Sequence, residues 1–99
     1  MGVMNMVYVV LDYKVEDYAK WKPAFDKHGE TRKKYGSKGG TLFRISGEPN
    51  HPCILLEFDT MDNAKKFYES EDLKKVMQDA GVIGKPDVWF LDKIEDFKV

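Results

Sequence analysis

The strand-like segments of this 99-residue chain are apolar on both of their faces. Successive side chains of a strand point to opposite sides. In residues 4–13 (MNMVYVVLDY), Val7, Val9 and Leu11 therefore point one way, and Met6, Tyr8 and Val10 the other. In residues 53–59 (CILLEFD), Ile54, Leu56 and Phe58 oppose Cys53 and Leu55. In residues 87–95 (DVWFLDKIE), Trp89 and Leu91 oppose Val88 and Phe90. An antiparallel sheet with one wet face alternates apolar with polar residues. These segments do not, so a sheet built from them needs a cover on each side.

Helical patterns lie between the strands. Tyr18, Trp21, Phe25, His28 and Tyr35 fall near three- and four-residue spacing over 16–35. Pro23 interrupts them: deep in a helix it removes a hydrogen bond, and it biases Lys22 away from helical backbone. The expected solution is a short turn over 16–21 and a main helix starting at Pro23, ending at Lys33, Lys34 and Gly36. A GSKGG loop then leads to a second strand, 41–46 (TLFRIS), and the GEPNHP turn to the third. Residues 61–69 form a helix with Ala64, Phe67 and Tyr68 inward. Ser70 starts another, whose stripe of Leu73, Val76, Met77 and Ala80 ends at Gly81 and Val82. The order is βαββαβ. Short connections and right-handed crossovers make the simplest architecture a single α+β domain over residues 1–99, a ferredoxin-like antiparallel sheet with its helices on one face.

Two short helical layers cover one face only. The other becomes a large apolar patch, rare on a soluble monomer. A closed two-fold homodimer through that sheet face is expected, the alternative being a ligand platform with scattered apolar residues. Sixteen basic against seventeen acidic residues exclude a strongly basic polyelectrolyte and a phosphate-driven interface. Strand three has neither the glycine nor the basic residue of an RNA-recognition motif, so no nucleic acid is expected. An amino-acid-sensing regulatory module would normally accompany a second domain, for which there is no room. No apolar run is long enough for a membrane span. The segment MGVMNMVYVVLDY lacks a basic n-region and a small-residue cleavage site, and Gly2 lacks the Ser or Thr expected for myristoylation. Cys53 is the only cysteine, which leaves no internal disulfide and no cysteine-based metal site. The expected location is the cytoplasm.

The chain resembles the dimeric α/β-barrel superfamily, and within it the small proteins similar to antibiotic-biosynthesis monooxygenases. The likeness rests on Val15-Glu16-Asp17-Tyr18 with Trp21 and Phe25, and on Glu57-Phe58-Asp59. It rests also on Ala64-Lys65-Lys66-Phe67, and on Ser70-Glu71-Asp72-Leu73 running to Ala80-Gly81-Val82. It implies a cavity in each subunit between sheet and helices. Relatives of this kind include cofactor-free oxygenases, polyketide cyclases, haem-degrading enzymes, dismutases and proteins without known activity. The expected chemistry is cofactor-free oxygenation or cyclisation of an aromatic or polyketide-like molecule. A small structural or stress-related barrel without chemistry is the alternative. No family catalytic set transfers onto these residues, and fold does not fix function.

His28 shares the inward stripe of Trp21 and Phe25, which makes it the candidate proton-transfer group, or else a structural histidine bonded to backbone. Trp21, Phe25, Tyr8, Tyr68 and Trp89 form an aromatic set that lines a pocket or fills the core; Trp21, Phe25 and Trp89 are its candidate walls. Arg44 and Glu57 sit mid-strand and are expected to pair across strands, with Arg44 otherwise a carboxylate or oxyanion binder. His51 is read as solvated in its turn, and Arg32-Lys33-Lys34 as a solvated helix end. Two histidines without HxxxH or HxH spacing give no metal or haem site. No GxGxxG or GxxxxGK[ST] loop is present, so no cofactor is expected.

Overall fold

Val7–Val15 forms the first strand, β1, and its burial alternates strictly. Val7, Val9, Leu11, Tyr13 and Val15 are buried, while the residues between them are half-buried or exposed. The computed structural model describes residues 6–99; the expected strand start at Met4 and Asn5, and the targeting features of residues 1–5, lie outside the described residues. After β1 come α1 (Tyr18–Lys27), α2 (Gly29–Lys34), β2 (Ser37–Arg44), β3 (Pro52–Phe58), α3 (Met61–Glu69), α4 (Glu71–Asp79) and β4 (Val82–Asp92). The strands form one sheet in the order β2-β3-β1-β4, every neighbour antiparallel. This is the expected ferredoxin-like α+β arrangement, each helical layer broken into two short helices.

The register aligns the apolar parities across the strands. Val9 lies opposite Leu56 on one side and Phe90 on the other; Leu11 lies between Ile54 and Val88. These residues face the helices and pack with Trp21, Ala64, Phe67 and Leu73. On the opposite face Val10 lies between Leu55 and Trp89, with Thr41 beyond Leu55. Tyr8 lies between Glu57 and Leu91.

Local chemistry starts three of the four helices, α1, α3 and α4. The Asp17 carboxylate accepts from the Ala19 amide, Thr60 Oγ1 from the Asn63 amide, and Ser70 Oγ from the Leu73 amide. Each oxygen satisfies an amide that has no partner within the first turn. Ser70 Oγ also donates to the Phe67 carbonyl at 2.7 Å, joining α3 to α4. The GEPNHP turn is tied to the fold: the Asn50 carbonyl accepts from Val15 N and its Oδ1 from Tyr18 N.

Three expectations are corrected. Pro23 lies inside α1 and does not begin it. Its lost donor frees the Ala19 carbonyl, and both residues are exposed, on a part of the helix that water can reach. The GSKGG segment is mostly strand, with a register shift between Ser37 and Gly39. A Cβ on Gly40 would collide with the Leu55 carbonyl oxygen, so only glycine lets β2 approach β3 there. β4 begins at Val82, before the expected residue 87, and ends at Asp92. Gly84 (φ +70°) and Pro86 lie within a register shift against β1, so residues that interrupt a regular ladder are accommodated in an irregularity.

Candidate functional site

The cavity forms where the first helical layer breaks. α1 ends at His28 (φ −78°, ψ −1°), and α2 starts at Gly29. Arg32, one turn beyond His28, reaches back. Its Nη1 donates to the Phe25 carbonyl at 2.8 Å, and its guanidinium carbon lies 3.9 Å from the centre of the Phe25 ring. Phe25 in turn stacks on Trp21, ring centres 4.9 Å apart. The indole of Trp21 is fixed from the sheet side by Tyr13.

These side chains enclose a cavity together with Phe67 and with Leu73, Val76, Met77 and Ala80 of α4 and its C-terminal end. Its interior measures about 30 Å³ and takes one water-sized molecule. The lining is mostly apolar, with Tyr13, His28 and Arg32 as its polar groups.

The His28 Nε2 atom is buried and has no hydrogen-bond partner. Burial holds this imidazole below its ordinary pKa, and the Arg32 cation lowers it further. The ring is therefore neutral at pH 7 and able to accept a proton. Burial pushes the Tyr13 hydroxyl up to about 12, so it stays protonated. Burial likewise lowers Arg32, whose pKa starts so high that the cation persists.

The structure brings His28, Trp21 and Phe25 to one cavity. Tyr8 and Trp89 lie on the opposite face of the sheet, with Trp89 50% exposed. Tyr68 packs edge-on against Phe90, away from the cavity lining. Arg44 lies opposite Pro52 with its guanidinium 4.9 Å from the Tyr18 ring centre, and Glu57 lies opposite Gly39, so the expected Arg44–Glu57 pair does not form. Arg32 is half-buried and does not belong to a solvated helix end. Spacing held the missing signal, since Arg32 follows Phe25 by seven residues and His28 by four, on one helical stripe. Tyr13 continues the buried parity of β1. His51 is also corrected: its side chain is only 17% exposed, with Nε2 on Asp12 and Nδ1 on Glu48 at 3.0 Å. These bonds, to Glu48 first and then Asp12, raise its pKa. Among the described residues there is no group of three His, Cys, Asp or Glu side chains arranged to hold a metal ion, and no helix long and apolar enough to cross a membrane.

A four-stranded antiparallel sheet with an aromatic-walled cavity under its helices defines a ferredoxin-like α+β protein. The chain belongs to the family described as domain of unknown function DUF1330, whose model matches residues 6–94. Among solved structures it is similar to a candidate antibiotic biosynthesis monooxygenase from Bordetella bronchiseptica, with 18% identity, a TM-score of 0.77, and coverage of 92% of this chain and 99% of that one. It is similar also to SnoaB, a cofactor-independent oxygenase from Streptomyces nogalater, with 12% identity, a TM-score of 0.75, and coverage of 93% and 96%. A third is a dimeric ferredoxin-like protein from an uncultured marine organism, with 12% identity, a TM-score of 0.61, and coverage of 96% and 93%. These likenesses concern the fold. No curated protein matches the chain.

Proposed function

We propose that the protein holds a small aromatic or polyketide-like molecule between sheet and helices and moves a proton at His28, in cofactor-independent oxygenation or cyclisation. The observation that carries this reading is His28 Nε2, buried at the cavity wall without a protein partner. Such atoms are rare in folded proteins, and a ligand hydroxyl is a partner of the right kind. A neutral imidazole there takes a proton from a phenolic or enolic O–H. The resulting electron-rich anion reacts with dioxygen or closes a ring on a neighbouring carbonyl. Trp21 and Phe25 supply apolar walls. The oxygenase activity of SnoaB, on the same fold, supports the first of these routes. A ligand larger than water enters by displacing Val76 and Met77, both half-buried, and methionine adapts readily to a new neighbour.

The test is a thermal-shift screen of aromatic phenols and polyketide-like compounds, followed by oxygen uptake or absorbance with each compound that binds. Turnover is expected in the wild type and lost in His28→Gln, with the melting temperature nearly kept. Because the neutral ring is the base, the rate should fall as the pH drops, with its midpoint below the ordinary histidine value. Undiminished turnover by His28→Gln, or no binding by any aromatic compound, overturns the reading.

The same reading includes a homodimer through the open sheet face. Phe43, Trp89 and Leu91 are 53%, 50% and 41% exposed there, and Val10 and Leu55 lie between them half-covered. One central row, Leu55–Val10–Trp89, is wholly apolar. A second copy offering the same face buries these residues in a self-complementary contact. That one solved relative in fold is a dimeric ferredoxin-like protein supports this assembly.

A further inference from the structure

Arg32 holds a half-buried positive charge without a carboxylate. It forms no ion pair among the described residues. Asp26, a carboxylate whose field reaches it, is held by Lys22 at 2.7 Å. Its described hydrogen bond goes to the Phe25 carbonyl. Taking a cation out of water is costly unless an anion or several acceptors replace the water. One carbonyl and one ring face replace only part of it.

The position of Arg32 shows where the missing partner belongs. Arg32 lines the inner cavity with His28, and it also lines an open groove with Gly29, Lys33, Gly36, Ser37 and Lys38. The groove lining contains no acidic side chain. Asp59, behind Gly36, is turned onto Asn63 Nδ2 and the Thr60 amide at 3.0 and 2.7 Å. The guanidinium thus stands at the boundary between a basic, solvent-open groove and an aromatic cavity.

We infer that the ligand of this site is a small organic acid, an apolar ring bearing one carboxylate, whose head binds Arg32 from the groove while its body enters the cavity toward His28. This rests on the cavity reading above and adds the charge of the ligand. A planar guanidinium offers two parallel donors to a carboxylate, which a neutral amide of the same shape cannot match. Lys33 and Lys38 raise the local concentration of anions without selecting among them.

The experiment compares benzoate with benzamide, followed by the Trp21 indole N–H resonance in nitrogen-labelled full-length protein, in wild type, Arg32→Met and Lys38→Met. Arg32→Met keeps an alkyl stem against Phe25. Benzoate should bind about tenfold or more tightly than benzamide to wild type and to Lys38→Met, with the preference lost in Arg32→Met. Equal binding of the two probes to wild type overturns the carboxylate assignment and leaves the cavity reading standing. The same preference in Arg32→Met also overturns it. Benzoate binding that depends on Arg32 but leaves the Trp21 resonance unmoved keeps the anion site and overturns the cavity reading. No binding of either probe overturns both. If Arg32→Met does not fold, the wild-type comparison of the two probes decides alone.

Discussion

The indole nitrogen of Trp21 donates to the Tyr13 hydroxyl at 3.1 Å, a bond between buried side chains that joins α1 to β1. Removing either partner leaves a buried polar group unsatisfied. Tyr13→Phe should destabilise the fold by about 1–3 kcal/mol, and Trp21→Phe by more, since it also opens space in the core. A double-mutant cycle read by chemical denaturation should return a coupling of about 0.5–3 kcal/mol.

The two histidines should give opposite pH dependences of stability. The pKa of His28 is lowered in the fold, so the unfolded chain binds its proton more readily. Its contribution is present above the unfolded value of about 6.5 and lost as pH falls below it. The pKa of His51 is raised by Glu48 and Asp12, so its contribution is present below about 6.5 and lost as pH rises through the higher folded value. Urea midpoints measured across this range should therefore lose acid sensitivity in His28→Gln and alkaline sensitivity in His51→Gln.

Neighbouring glycines in β2 separate two physical demands. Gly39 has φ +117° and nothing within 4 Å of an added Cβ, so Gly39→Ala meets backbone strain of about 1–3 kcal/mol and no clash. Gly40 lacks that strain, but its added Cβ meets the Leu55 backbone. Gly40→Ala should cost more than Gly39→Ala, because β2 and β3 must move apart. Denaturant midpoints of the two variants, with amide exchange of β2, check the order.

Much of this architecture is legible in the sequence because strand parity is a two-residue rule. Val7, Val9 and Leu11 alternate with Tyr8 and Val10 whatever the helices do, and Ser70 and Gly81 mark the ends of α4 through their own chemistry. Pro23 misleads, because its cost depends on whether the freed carbonyl reaches water, which only the folded helix reveals. The cavity is half legible. Helical spacing puts Trp21, Phe25, His28 and Arg32 on one stripe, but Arg32 opens the basic run Arg32-Lys33-Lys34, which by composition reads as a solvated helix end. The far placement of Trp89 follows from the same parity rule, applied across β4.

Charge on the open sheet face should separate the subunits. Leu55→Lys and Trp89→Glu each place a charge in the apolar row beside Val10. Sedimentation velocity at micromolar concentration should show dimeric wild type, monomeric variants, and a dimer still in Met77→Ala, whose change lies in the cavity. A monomeric wild type removes the proposed assembly.

The alternation along β1 has an evolutionary corollary. Its odd positions line the core beneath the helices and its even positions form the outward surface, so substitutions at the two parities act on core packing and on the outward face as separate traits. Deleting one residue between Val9 and Leu11 exchanges the two parities downstream at a stroke. Lineages carrying this strand should therefore diversify by replacement far more freely than by changes in its length.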